Sequence, residues 1–92
     1  MTQAADTKRN SLRATIHGLM QEIAESNQVK LVNPIEDDTV LLETGLDSLG
    51  FAILVTRLEQ ELGYDPFSMM ETPYYPRTFG EFVEFYEQSA PR

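Results

Sequence analysis

Three stretches of this chain repeat their apolar residues at helical spacing, and no stretch alternates them cleanly as a paired strand would. Leu12, Ile16, Leu19, Met20 and Ile23 form the first set. Phe51, Leu54, Val55, Leu58 and Leu62 form the second, and Phe79, Phe82, Val83 and Tyr86 the third. Apolar side chains three or four residues apart share one face of a helix, whereas a half-buried strand needs strict alternation. Each such face must be buried against another element, so the pattern predicts an all-α fold.

Capping signals set the limits of these helices. Asn10 or Ser11 can cap a first helix over roughly 10–26, and the pattern fades across residues 25–28. Asp47 is a good N-cap for a second helix that ends at Leu62, before Gly63. Thr78, with Glu81 three residues on, makes a capping box for a last helix over 79–89. Pro66 and Pro73 bracket "FSMMET", which leaves room for one short helix. The expected architecture is an antiparallel bundle of three main helices plus a short third helix, with one long crossover. Residues 1–9 are read as a disordered tail, 10–89 as the folded domain and 90–92 as a second tail.

The crossover, residues 28–47, is unusual. Asn33-Pro34 argues against helix there. Yet it carries Leu31, Val32, Ile35, Val40, Leu41, Leu42 and Leu46. A connection this long and apolar is expected to lie against the core and to have a function.

With 92 residues, the chain makes one small domain with a modest core. It has no cysteine, so disulfides and thiolate metal sites are excluded. Asp37, Asp38, Glu43 and Asp47 miss the spacing of a calcium loop, and no metal site is expected. Fifteen acidic residues stand against 7 basic ones, for a formal charge of −8. That field repels nucleic acid and anionic membrane and favours partners with basic patches. "MTQAADTKRN" lacks the apolar run of a secretory signal, and no run of about 18 apolar residues exists to span a membrane. A cytoplasmic protein, monomeric on its own, is expected.

Helix 2 presents two apolar faces. At about 100° per residue, its core set leaves Leu49, Ala52, Ile53 and Thr56 on the opposite side, beside Glu59, Gln60 and Glu61. Exposed apolar groups with an acidic rim mark a partner site, and burial under the long connection is the structural alternative.

Ser48 falls at the start of this helix, in "LLETGLDSLGF". A serine nucleophile needs a base, and the sole histidine, His17, sits on helix 1 beside the core. A nucleophile elbow needs glycine two residues before the serine, where this chain has Leu46. Hydrolysis is therefore disfavoured. A helix start does welcome an anion, because its N–H groups are unpaired and its dipole end is positive. Asp47 would repel a phosphate ester at short range, so it is read as cap and recognition element. Gly45 allows a tight approach into the helix, and Gly50 leaves space beside the serine.

Gly45-Leu46-Asp47-Ser48-Leu49 resembles the attachment motif of the acyl carrier and peptidyl carrier proteins. Leu54, Val55, Leu58, Glu59, Glu61, Leu62 and Gly63 resemble the rest of that family's second helix, and the similarity covers nearly the whole chain. The resemblance implies a covalent 4′-phosphopantetheine on Ser48, flanked by Asp47 and Leu49. A phosphopantetheinyl transferase would place it, using its own Mg²⁺. The terminal thiol would carry an acyl or aminoacyl group as a thioester, so the protein would present cargo and catalyse nothing. Leu49, Ile53 and Thr56 would make apolar docking contacts, with Glu59 and Glu61 as charge contacts. Ile53 departs from the acidic residue usual in fatty-acid carriers. "GYDPF", residues 63–67, and "TFGEFVEF", residues 78–85, look more like free-standing carriers outside fatty-acid synthesis, and among these the resemblance points to the aminoacyl carriers. Those are loaded by an amino acid:carrier protein ligase and unloaded by a downstream acyl-accepting enzyme. A specialised fatty-acid or polyketide carrier and a non-carrier interaction bundle are the alternatives. Termini near 1 and 92 suit a discrete protein.

Overall fold

The computed structural model describes residues 3–71 and 74–90. Helix α1 spans Gln3–Ser26, α2 Ser48–Leu62, α3 Pro66–Met69 and α4 Phe79–Ser89. A short 3-10 turn, Leu41–Glu43, interrupts the long connection. The all-α arrangement of three main helices and a short one is therefore as expected. Among the described residues the extended pairing amounts to one antiparallel bridge, Val40 with Thr78.

Helix α1 corrects the sequence reading at its start. It begins at Gln3, not near Asn10, and runs through residues 3–9, read above as a disordered tail. That segment has no apolar stripe to announce it. Gln, Ala, Lys and Arg are nevertheless good helix formers, and extending a nucleated helix gains a hydrogen bond per residue. Residues 1–2 and 91–92, the remainder of the two expected tails, lie outside the described residues. The helix ends where expected, in a Schellman motif. Gln28 takes the left-handed conformation (φ 59), and Val29 donates to the Ala24 carbonyl at 2.9 Å.

Helix α3 starts at Pro66 itself, because proline suits the first helical position, where no N–H is needed. Asp65 caps it by accepting from the Phe67 N–H at 2.9 Å. On α4, Thr78 Oγ1 accepts from the Glu81 N–H at 3.2 Å, the expected half of the capping box. The other half is displaced. Glu81 reaches the Arg77 N–H at 2.8 Å and not that of Thr78, which the bridge to Val40 holds extended.

The core joins all three long helices. Ile16, Met20 and Ile23 of α1 meet Leu54 and Leu58 of α2 and Phe79, Phe82, Val83 and Tyr86 of α4. Fully burying one such side chain contributes about 1.5–3 kcal/mol. Helix α1 packs on both α2 and α4, and α3 packs on α4. Arg57 on α2 also pairs with Glu22 on α1 at 2.9 Å, an exposed contact of small energetic weight.

The long connection meets the expectation in part. Leu41 and Leu46 are core residues, with Leu31 and Ile35 packed against them. Val32 and Leu42 are exposed, because neighbouring residues in these short extended and 3-10 pieces face opposite ways. Its two ends touch near the start of α2. Val32 donates to the Thr44 carbonyl at 2.8 Å. Gly45 (φ 119) is required there, since a Cβ would lie 2.5 Å from the Lys30 carbonyl oxygen.

Candidate functional site

Helix α2 begins under a well-formed cap. Asp47 is extended, and its carboxylate accepts from the Gly50 N–H at 2.8 Å. Phe51 donates to the Asp47 carbonyl at 3.0 Å and closes the first turn. Gly50 is buried beneath Leu46, and an added Cβ would meet Leu46 side-chain atoms at 3.3 Å. The room it leaves is filled by Leu46 and the Asp47 cap, which corrects the expectation of space beside the serine. Leu46 itself packs into the core.

Ser48 is the first residue of α2 and is exposed. The cap uses the N–H of Gly50, so those of Ser48 and Leu49 have no acceptor within the helix. They stand at the positive end of a 15-residue helix. His17 is elsewhere. Its ring meets Phe79 edge-on at 6.4 Å, and it lines a cleft of mixed polarity with Gln21, Glu25, Val29 and Lys30. Ser48 lines a different cavity. Among the described residues, no three His, Asp or Glu side chains converge on one point.

Beside Ser48 an apolar groove of about 530 Å³ opens between α2, α3, α4 and the two connections that flank them. Buried Leu41 and Phe82 form its floor. Half-buried Phe51, Val55, Phe67 and Pro76 form its walls, and Ser48, Leu42, Ala52 and Tyr75 its rim. The Phe82 ring lies 6.2 Å from those of both Phe51 and Phe67. Leu42 and Tyr75 are 67% and 78% exposed, as rim residues should be.

Sequence reasoning missed this groove. Phe51 and Val55 read as core because their helical phase points inward, and they are half-buried because the groove undercuts them. Leu42, Phe67, Tyr75 and Pro76 lie outside the three periodic sets. The available signal was "TPYYP", residues 72–76, a run of aromatic residues and proline that no helix accounts for.

The outer face of α2 matches the helical wheel. Leu49 is 66% and Ile53 37% exposed, and Ala52, Thr56, Glu59 and Glu61 are exposed beside them. The Thr56 hydroxyl donates to the Ala52 carbonyl at 3.1 Å. Leu49 also borders a cleft of about 320 Å³ with Asn27, Val29, Gly45, Leu46 and Asp47. Ser48 thus stands between an apolar groove and a smaller cleft, at the end of an apolar strip.

A family model described as "Phosphopantetheine attachment site" matches residues 16–70, which take in the C-terminal part of α1, the long connection, α2 and α3. Searches of curated proteins and of solved structures find no match.

Proposed function

The chain belongs to the phosphopantetheine attachment-site family, and from that membership we propose that it is a carrier protein. It holds an acyl or aminoacyl group as a thioester on a 4′-phosphopantetheine arm at Ser48 and presents that group to partner enzymes. The observation that carries this reading is the exposed Ser48 hydroxyl at a capped helix start, on the rim of an apolar groove.

The residues present fit the group. When bound, it supplies a terminal thiol, which this cysteine-free chain lacks. The unpaired N–H groups of Ser48 and Leu49 suit the negative charge of a phosphodiester. Ser48 Oγ forms the new P–O bond as the pyrophosphate bond of coenzyme A breaks and adenosine 3′,5′-bisphosphate leaves. The hydroxyl proton passes to a base of the transferase, since His17 borders a different cavity. Asp47 holds the helix start in place. The carrier itself catalyses nothing.

The apolar lining of the groove supports a cargo with an apolar tail. The second reading, a free-standing aminoacyl carrier, is favoured by residues 63–67 and 78–85. Phe67 and Phe82 from those two stretches also line the groove. Leu49, Ile53 and Thr56, with Glu59 and Glu61, are the proposed docking strip. It serves a phosphopantetheinyl transferase, an activating ligase and a downstream acyl-accepting enzyme. No described helix is long and apolar enough to cross a membrane, and a cytoplasmic monomer is proposed.

Intact mass tests the carrier reading. Incubation with coenzyme A, Mg²⁺ and a broad-specificity transferase should add one phosphopantetheinyl group, and Ser48→Ala should abolish the gain. An unchanged mass, with a transferase that modifies a control carrier, refutes the proposal. The mass of the carrier purified from its own host then separates acyl from aminoacyl cargo.

A further inference from the structure

The two connecting segments that border the groove leave from one pivot. Leu41 and Leu42 directly follow Val40, and Tyr75 and Pro76 precede Arg77 and Thr78. In an antiparallel pair, the chain forward of one residue and backward of its partner run the same way. Both segments therefore leave the Val40–Thr78 bridge on its groove side. Two backbone bonds of 2.9 Å hold the pivot, Leu41 N–H to the Arg77 carbonyl and Phe79 N–H to the Thr39 carbonyl.

On the far side of the pivot the same two segments are clamped together. The Gly80 N–H donates to the Asp37 carbonyl at 2.9 Å. The approach is close enough that a Cβ on Gly80 would lie 2.9 Å from Asp37 Cβ, 3.0 Å from its oxygen and 3.2 Å from its Cα. Arg13 of α1 pairs with Asp37, and its guanidinium lies 5.9 Å from the centre of the Phe79 ring. Most of the atoms facing Gly80 are backbone, so a side chain there displaces the chain itself. The buried Phe79 and Gly80 leave little slack to absorb that shift.

We propose that the Asp37–Gly80 clamp sets the spacing of the groove walls, which makes Gly80 and Asp37 positioning residues for the length of acyl chain the carrier shelters. The proposal rests on the carrier reading above. Moving the clamp moves Leu41–Leu42 relative to Tyr75–Pro76, while the cap at Asp47 and the exposed Ser48 stay in place.

Gly80→Ala is the test. A broad-specificity transferase supplied with acetyl- or octanoyl-coenzyme A loads either acyl arm onto Ser48 of wild type and variant. Hydroxylamine then attacks the thioester carbonyl, the C–S bond breaks, the thiol leaves and the acyl group becomes a hydroxamate. In wild type the octanoyl thioester should be cleaved more slowly than the acetyl one. In Gly80→Ala the octanoyl thioester should be cleaved several-fold faster than in wild type, with the acetyl rate unchanged. In the unloaded variant, amide exchange at Leu41 and Phe79 should quicken. Equal octanoyl rates in the two chains, equal acceleration of both thioesters, or no shelter in wild type overturns the proposal.

If the variant does not fold, Val40→Cys with Thr78→Cys tests the same pivot. These would be the only protein cysteines, and a directly opposed antiparallel pair is within disulfide reach. Octanoyl cleavage should be several-fold slower in the oxidised chain than after reduction by a phosphine, and identical rates overturn the proposal. A wild type that accepts no arm sinks the carrier reading itself, whereas a loaded wild type with an indifferent clamp sinks this inference alone.

Discussion

Among the described residues, Tyr86 is the one buried side chain of the core that leaves a polar atom unanswered. Its hydroxyl is fully buried without a hydrogen-bond partner among the described residues, while its carbonyl accepts from the Tyr64 hydroxyl at 2.7 Å. Burial, then the charges of Asp65, Tyr64 and Glu59, push its pKa well above the usual tyrosine value of 10.0. Below that value both the folded and the unfolded chain keep the proton, so stability does not change with pH on its account. Above it the unfolded chain releases the proton and the folded chain does not, so stability falls as pH rises. Tyr86→Phe should therefore raise stability at neutral pH by about 1 kcal/mol and flatten the alkaline loss. Denaturant midpoints at neutral and alkaline pH check both, and a lower neutral midpoint contradicts the account. Caps were the residues most legible in sequence. Asp47 and Thr78 act within three residues of themselves, so local chemistry sufficed. Tyr86 read correctly as core, but its orphan hydroxyl depends on what surrounds it in space.

Helix α2 shows how far periodicity carries. Its inner and outer faces were both legible, because side-chain direction repeats with the helix itself. Leu54 and Leu58 are fully buried, and Leu49 and Ile53 are exposed. Ile53→Glu should leave helical content unchanged, because the site already reaches solvent, and should slow loading by the partner ligase several-fold. Loading kinetics beside a far-ultraviolet spectrum decide the matter, and unchanged kinetics remove Ile53 from the docking strip. The half-burial of Phe51 and Val55 was not legible. It follows from what α3 and the two connections leave uncovered. The early start of α1 was missed because propensity, and not an apolar stripe, extends it.

Across the whole molecule, a charge of −8 spread over 92 residues gives a field that reaches beyond any single contact. Modification of Ser48 by a transferase with a basic face should lose kcat/KM as salt rises, with kcat nearly constant, since screening acts over about 8 Å at physiological ionic strength. A flat salt profile would show that the field does not steer this encounter. Composition, caps and the helical period by themselves determined the three long helices, the place of Ser48 at a helix start and the exposed strip beside it. These are properties of neighbours in sequence. The groove and its clamp were decided only by the tertiary path, which brings residues 37–42 against residues 75–80. Residues 37–42 carry no helical period, residues 75–80 carry only its first member, Phe79, and the meeting of the two segments depends on a core built from all three helices. The position of Ser48 at a helix start was therefore legible in the chain, whereas the cavity beside it exists only once distant segments close around shared backbone hydrogen bonds.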